Sequence, residues 1–190
     1  MRSNMGKDSL PIISLTNQEN LIDGVVLHPL KINSDPRGIL VESLKIDWTD
    51  VYDPQGLPFA MQYFSITKPN VARDEDLWHV HKFQTDRFVA ISGDMVVAIF
   101  DPRSGSKTYG ALNLFPMGQT SGEDNQFLLL IPPDTYHGFL TVGAKEVVLE
   151  NFPTRLYDPS DEGRIPHSEA QAKLQDGTTF SWNLIRQNFK

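Results

Sequence analysis

WHVHKFQTDRFVAISG, residues 78–93, is the stretch that decides the fold. His79 and His81 flank a single residue, so on a strand both imidazoles project from one face. Asp86 follows five residues after His81, and Gly93 closes the run at a Ser-Gly-Asp turn signal. Moving outward, VVLHPL, GILVESL, FAMQYFSIT, MVVAIFD, ALNLF, FLLLIP, HGFLTVG and EVVLENF are short and rich in β-branched and aromatic residues, with Gly, Pro, Asn or Asp at their borders. This pattern predicts an all-β barrel or sandwich. Helical periodicity is confined to SEAQAKLQ at 168–175 and a weaker segment at 46–52, so helices are expected as minor accessories.

The chain has 190 residues, enough for one domain with a real core. A net charge of -7 and a pI near 5.1 oppose nucleic acid or an anionic membrane as partner, since both attract a basic face. An anionic substrate then needs particular arginines or lysines to meet it. With no cysteine, thiolate nucleophiles, thiolate metal ligands and disulfides are excluded. The first 20 residues are polar, aperiodic and unlike a secretory signal, and no apolar run reaches the roughly 18 residues of a membrane-spanning helix. The expected location is the cytoplasm. The expected organisation is an N-terminal arm at 1–20, a barrel at 21–166 and a C-terminal extension at 167–190.

The segment from His79 to Gly93 resembles the first motif of cupin proteins, with Asp86 where Glu is usual. Pro132-Pro133-Asp134-Thr135-Tyr136-His137 is similar to their second, with Asp134 where Gly is usual. A cupin-type double-stranded β-helix, or jelly-roll barrel, is the implied fold. Further segments are similar to those of the dTDP-4-dehydrorhamnose 3,5-epimerases: Asp35-Pro36-Arg37-Gly38 followed by Glu42, the run Asp101 to Gly110, Ile131-Pro132 leading to His137-Gly138-Phe139, and Tyr157-Asp158-Pro159 leading to Glu162-Gly163. The resemblance covers about residues 24–166 in one collinear order.

That resemblance implies a cofactor-free epimerase, dimeric, acting on a 4-keto deoxy nucleotide sugar in carbohydrate biosynthesis. Protons alpha to a ketone are weakly acidic, so the chemistry needs a base on one face, an acid on the other and support for the enolate. By position in the motifs, His79 corresponds to the base and Tyr157 to the acid, while Arg37, Glu42, Gln62 and His137 correspond to substrate-binding positions, and Arg73, close in sequence to the Arg position that Asp76 fills, is a further substrate-binding candidate. Four departures stand against these matches. Asp76 and Asp86 replace an Arg and a Lys of the family, His81 replaces a Gln, and the Asp that pairs with the catalytic His has no counterpart. These changes remove positive charge and add an imidazole and a carboxylate. They keep two alternatives open: a cupin enzyme holding a divalent metal ion through His79, His81, Asp86 and His137, and a non-catalytic sugar-binding cupin.

Overall fold

A computed structural model describes residues 10–189. Its strands are β1 (Val26–Pro29), β2 (Ile32–Asp35), β3 (Gly38–Val41), β4 (Tyr63–Thr67), β5 (Ala72–Arg73), β6 (Leu77–His81), β7 (Asp86–Ser92), β8 (Asp94–Phe100), β9 (Leu112–Gly118), β10 (Phe127–Ile131), β11 (Tyr136–Val142), β12 (Val147–Asn151) and β13 (Glu162–Pro166). One sheet runs in the order β1-β10-β7-β12-β4. The second runs β13-β6-β11-β8-β9, with β5 also pairing β11. Neighbouring strands within each sheet are antiparallel. β2 and β3 form a separate hairpin. The architecture is the expected cupin-type jelly roll.

The period of two explains how the layers stack. Along β8, Met95, Val97 and Ile99 point between the sheets, where they meet Phe88, Leu129 and Leu149 of the facing sheet. The alternate residues Val96, Ala98 and Phe100 point outward and are covered by Leu10, Leu174, Phe180, Trp182 and Ile185 from the two ends of the chain. β8 is therefore apolar at nearly every position because both of its faces are covered. The first sheet behaves similarly: Leu128 and Leu130 on its outer side are covered by Val51, Phe152, Trp48 and Leu57. Residues 10–20 of the expected arm lie along β9, with Ile13 donating its N–H to the Leu114 carbonyl at 2.8 Å. The expected arm residues 1–9 fall outside the described residues.

The helices differ from expectation. The segment at 168–175 yields only α1 (His167–Ala170), which stops at Gln171 in the left-handed conformation, φ 52°. The segment at 46–52 makes a single turn, with Tyr52 N–H on the Trp48 carbonyl at 2.8 Å. Its apolar residues serve as a lid on the first sheet rather than as one face of a helix. The longer helix, α2 (Trp182–Asn188), begins at Ser181, whose side chain accepts from the Leu184 N–H at 3.4 Å. Its few residues are too short for a periodicity to stand out.

Two turns place the site. Gly93, between β7 and β8, adopts φ 76°, and a Cβ there would lie 2.3 Å from the Glu146 carbonyl oxygen, so only glycine fits. Asp134 precedes β11 at φ 58°, a conformation Asp tolerates far better than most side chains. It thus stands in for the motif glycine, and its N–H bonds the His81 carbonyl at 2.7 Å, tying the turn to β6.

Candidate active site

β6 and β11 are neighbours, and His79 lies directly opposite His137 in their register. On β6 the alternation sends Trp78 outward into the C-terminal cover and turns His79 and His81 toward the interior. Asp86 arrives from β7 of the facing sheet. Its Oδ2 stands 3.4 Å from His137 Nε2 and 3.7 Å from His81 Nε2. His79 Nε2 and His81 Nε2 are 2.8 Å apart, a separation that requires one ring to donate to the other. His79, His81, Asp86 and His137, which sequence reasoning placed together, thus converge.

Several groups behind this cluster orient it. Asp86 Oδ1 accepts from Gln84 Nε2 at 2.8 Å and from Asn151 Nδ2 at 2.9 Å. His81 Nδ1 faces Asp161 Oδ2 at 3.7 Å, and Asp161 is itself fixed by the N–H groups of Phe83 and Gln84. His79 Nδ1 faces Glu162 Oε1 at 4.0 Å, the nearest thing here to the missing carboxylate partner. Arg164 Nη1 holds that same oxygen at 2.6 Å.

Burial, and then the neighbouring His137 and His81, push His79 well below the usual imidazole range, so it is neutral at physiological pH. Burial also lowers His81, against the pull of Asp86. For Asp86, burial alone favours the protonated form, but the His137 hydrogen bond and the imidazole neighbours outweigh it and keep the carboxylate ionised. The site therefore combines a neutral base with a fixed negative charge. That charge suits the imidazolium which proton abstraction generates.

The remaining expected site residues lie apart. Arg73 sits on β5 opposite Phe139, on the inward side of the sheet. Its guanidinium bonds neutral oxygens, Thr67 Oγ1 at 3.1 Å and the Ile66 carbonyl at 3.3 Å, and among the described residues no carboxylate is paired with it. Arg37 is at the tip of the β2–β3 hairpin, its side chain 89% exposed and paired with Asp35. Glu42 follows that hairpin, near Lys45 at 3.5 Å. Gln62 belongs to the outer side of the first sheet and donates to Glu150 at 2.8 Å. Tyr157 is 67% exposed in the loop after β12, lining a surface groove with Ala60, Phe83 and Arg155. Of two other cations near Asp86 in sequence, Lys82 lies over the Phe83 ring. Arg87 points away and is used up on the carbonyls of Phe152, Val51, Leu57 and Pro58.

Tyr63, Asn151, Gln84, Asp161 and Glu162 complete the interior, yet none was given a role from the sequence, where Glu162 entered only as part of the motif that follows Tyr157. A signal existed for Tyr63. In FAMQYFSIT the alternation places Tyr63 and Thr67 together on the inner face and Gln62 on the other, so the register of one strand separates the right residue from its neighbour.

The four residues named for a divalent ion converge, yet among the described residues no group of three or more His, Asp or Glu side chains is arranged to hold a metal. Asp86 Oδ1 is committed to two amides.

Residues 19–183 match the family model described as dTDP-4-dehydrorhamnose 3,5-epimerase. The chain belongs to that family. A relative from Haloferax volcanii, the probable low-salt glycan biosynthesis epimerase Agl13, is 41% identical over 150 residues, covering 77% of this chain and 88% of its own. The spore coat polysaccharide biosynthesis protein SpsL of Bacillus subtilis is 32% identical over 165 residues, covering 86% and 97%. Among solved structures, a dTDP sugar isomerase from Desulfovibrio desulfuricans superposes with a TM-score of 0.70 at 26% identity, covering 85% of this chain and 92% of that one. The 3,5-epimerase barrel thus carries, in this member, a cluster of three imidazoles and one carboxylate.

Proposed function

We propose that this protein is an epimerase of a 4-keto deoxy nucleotide sugar in glycan biosynthesis, working without a metal or other cofactor. The observation that carries the reading is His79, neutral, partly open to solvent and set inside the barrel 4.0 Å from the Glu162 carboxylate, in a chain of this family. Proton transfer alpha to a ketone is redox-neutral and needs only a base, an acid and a site for the enolate. Once substrate displaces its contact with His81, His79 Nε2 accepts the sugar proton, and Asp86 stabilises the imidazolium through the histidine network. Arg73, whose charge no carboxylate claims among the described residues, supplies the cation for the enolate or the diphosphate. It occupies the role left open by Asp76. Agl13 and SpsL are glycan and polysaccharide biosynthesis proteins by name, which supports the same setting.

We also read the working unit as a homodimer. Phe64 and Ile66 project from the edge strand of the first sheet at 63% and 52% exposure, and the β2–β3 hairpin adds Ile39 and Leu40 at 53% and 62%. A second copy is the occupant that would cover this face and bring Arg37 and Glu42 near a neighbouring site.

The test is deuterium incorporation from D2O into a dTDP-4-keto-6-deoxyhexose, followed by NMR alongside metal analysis of the same preparation. Wild type exchanges at the sugar carbons with substoichiometric metal, and His79→Asn loses about 10² to 10⁴ of the rate. A wild-type protein that shows no exchange, and whose bound metal is lost in His79→Asn, overturns the proposal.

A further inference from the structure

Inversion at a carbon requires two groups on opposite sides of the sugar, and His79 supplies one from β6 of the second sheet. The facing sheet presents one phenol to the same interior. Tyr63 on β4 lies opposite Asn151 on β12, and its hydroxyl oxygen accepts from Asn151 Nδ2 at 2.9 Å. The amide orientation is determined at its other end, where Asn151 Oδ1 accepts the Arg87 N–H at 3.0 Å. Asn151 Nδ2 also donates to Asp86 Oδ1 at 2.9 Å, linking the phenol to the histidine cluster through a single amide. Because the hydroxyl oxygen accepts from Asn151, its hydrogen points elsewhere, and among the described residues no hydrogen bond takes it. Burial first, then Asp86 and Glu162, favour the protonated phenol, against the hydrogen bond from Asn151 and the charge of Arg73. Tyr63 is still 43% exposed, so a phenolate formed there can recover its proton from water. Tyr157, by contrast, lies in the surface loop after β12 and makes none of these contacts.

We propose that Tyr63, rather than Tyr157, returns the proton to the sugar; this rests on the epimerase reading above. The neutral His79, its Nε2 released from His81 by the bound substrate, removes the C–H proton, becoming imidazolium and leaving the electron pair in the enolate. The enolate carbon then takes the Tyr63 hydroxyl proton from the opposite side, restoring the ketone with inverted configuration and leaving a phenolate. Exchange with water returns imidazolium and phenolate to their neutral forms, so the site is reset with no net proton change.

The experiment compares Tyr63→Phe and Tyr157→Phe with wild type in D2O on a dTDP-4-keto-6-deoxyhexose, with folding checked by thermal melting. Tyr63→Phe is expected to keep washing deuterium into the substrate with retained configuration, since His79 still forms the enolate, while inversion falls by about 10² or more. Tyr157→Phe is expected to invert close to the wild-type rate. If Tyr63→Phe does not fold, difluorotyrosine is placed at 63 or at 157; the basic limb of the inversion rate moves to lower pH for 63 and stays for 157. Inversion by a folded Tyr63→Phe near the wild-type rate overturns the proposal. So does loss of inversion in Tyr157→Phe, loss of wash-in together with inversion in a folded Tyr63→Phe, or a limb that moves for 157 instead. Absence of wash-in by wild type is a separate result and counts against the epimerase reading itself.

Discussion

The proposed base, His79, also bears on stability. An unfolded histidine titrates near 6.5, whereas burial and the adjacent imidazoles hold the folded one lower, so below about pH 6.5 the unfolded chain binds protons that the folded chain refuses. Stability therefore falls as pH drops from about 7 toward 5, and Asp86, held below its ordinary value, adds a further loss only below about pH 4. Melting temperature measured across that range should show a shallower slope for His79→Gln than for wild type. Parallel slopes would mean that another group carries the effect. The four polar residues of the interior were legible in sequence because a same-face pair and a turn-linked histidine are local patterns. Their partners were not. Asn151 meets Asp86 across two paired strands, and Glu162 meets His79 across another, so each contact depends on register rather than on spacing in the chain.

At the level of elements, Arg87 holds the molecule's outer loop to its sheet. It is fully buried, and its guanidinium donates to four carbonyls, at Phe152, Val51, Leu57 and Pro58, with no carboxylate in the arrangement. Replacing it with methionine keeps the volume but leaves those acceptors unpaired. We expect Arg87→Met to cost about 2–4 kcal/mol, or about 5–15 °C in Tm by calorimetry, with Asp86 still in place. An unchanged Tm would show that water replaces the guanidinium at no cost. The strands were readable because each short apolar run is bounded by a turn former, and Gly93 marks its hairpin through a backbone angle that few residues adopt. β13 and the hairpin strand β2 were missed, since Glu-Gly-Arg-Ile-Pro and Ile-Asn-Ser-Asp carry little of the usual strand composition.

For the whole molecule, the homodimer proposed above would cover the apolar outer face of β4 and the β2–β3 hairpin. Light scattering should give twice the chain mass for wild type, and Phe64→Glu with Ile66→Lys should give one, because charges placed there must be desolvated on association. A monomeric wild type would remove the dimer from the reading. The connectivity of the two sheets carries a different consequence, one of timing. Val26 near the start pairs with Leu130, and β6 completes its ladder with β13 only once Glu162–Pro166 are available. Such distant pairings must be closed against chain entropy before they return any stabilisation, which makes folding slow. On the ribosome, then, most of the chain has to emerge before either sheet can close, and the early apolar strands stay uncovered until the last one arrives.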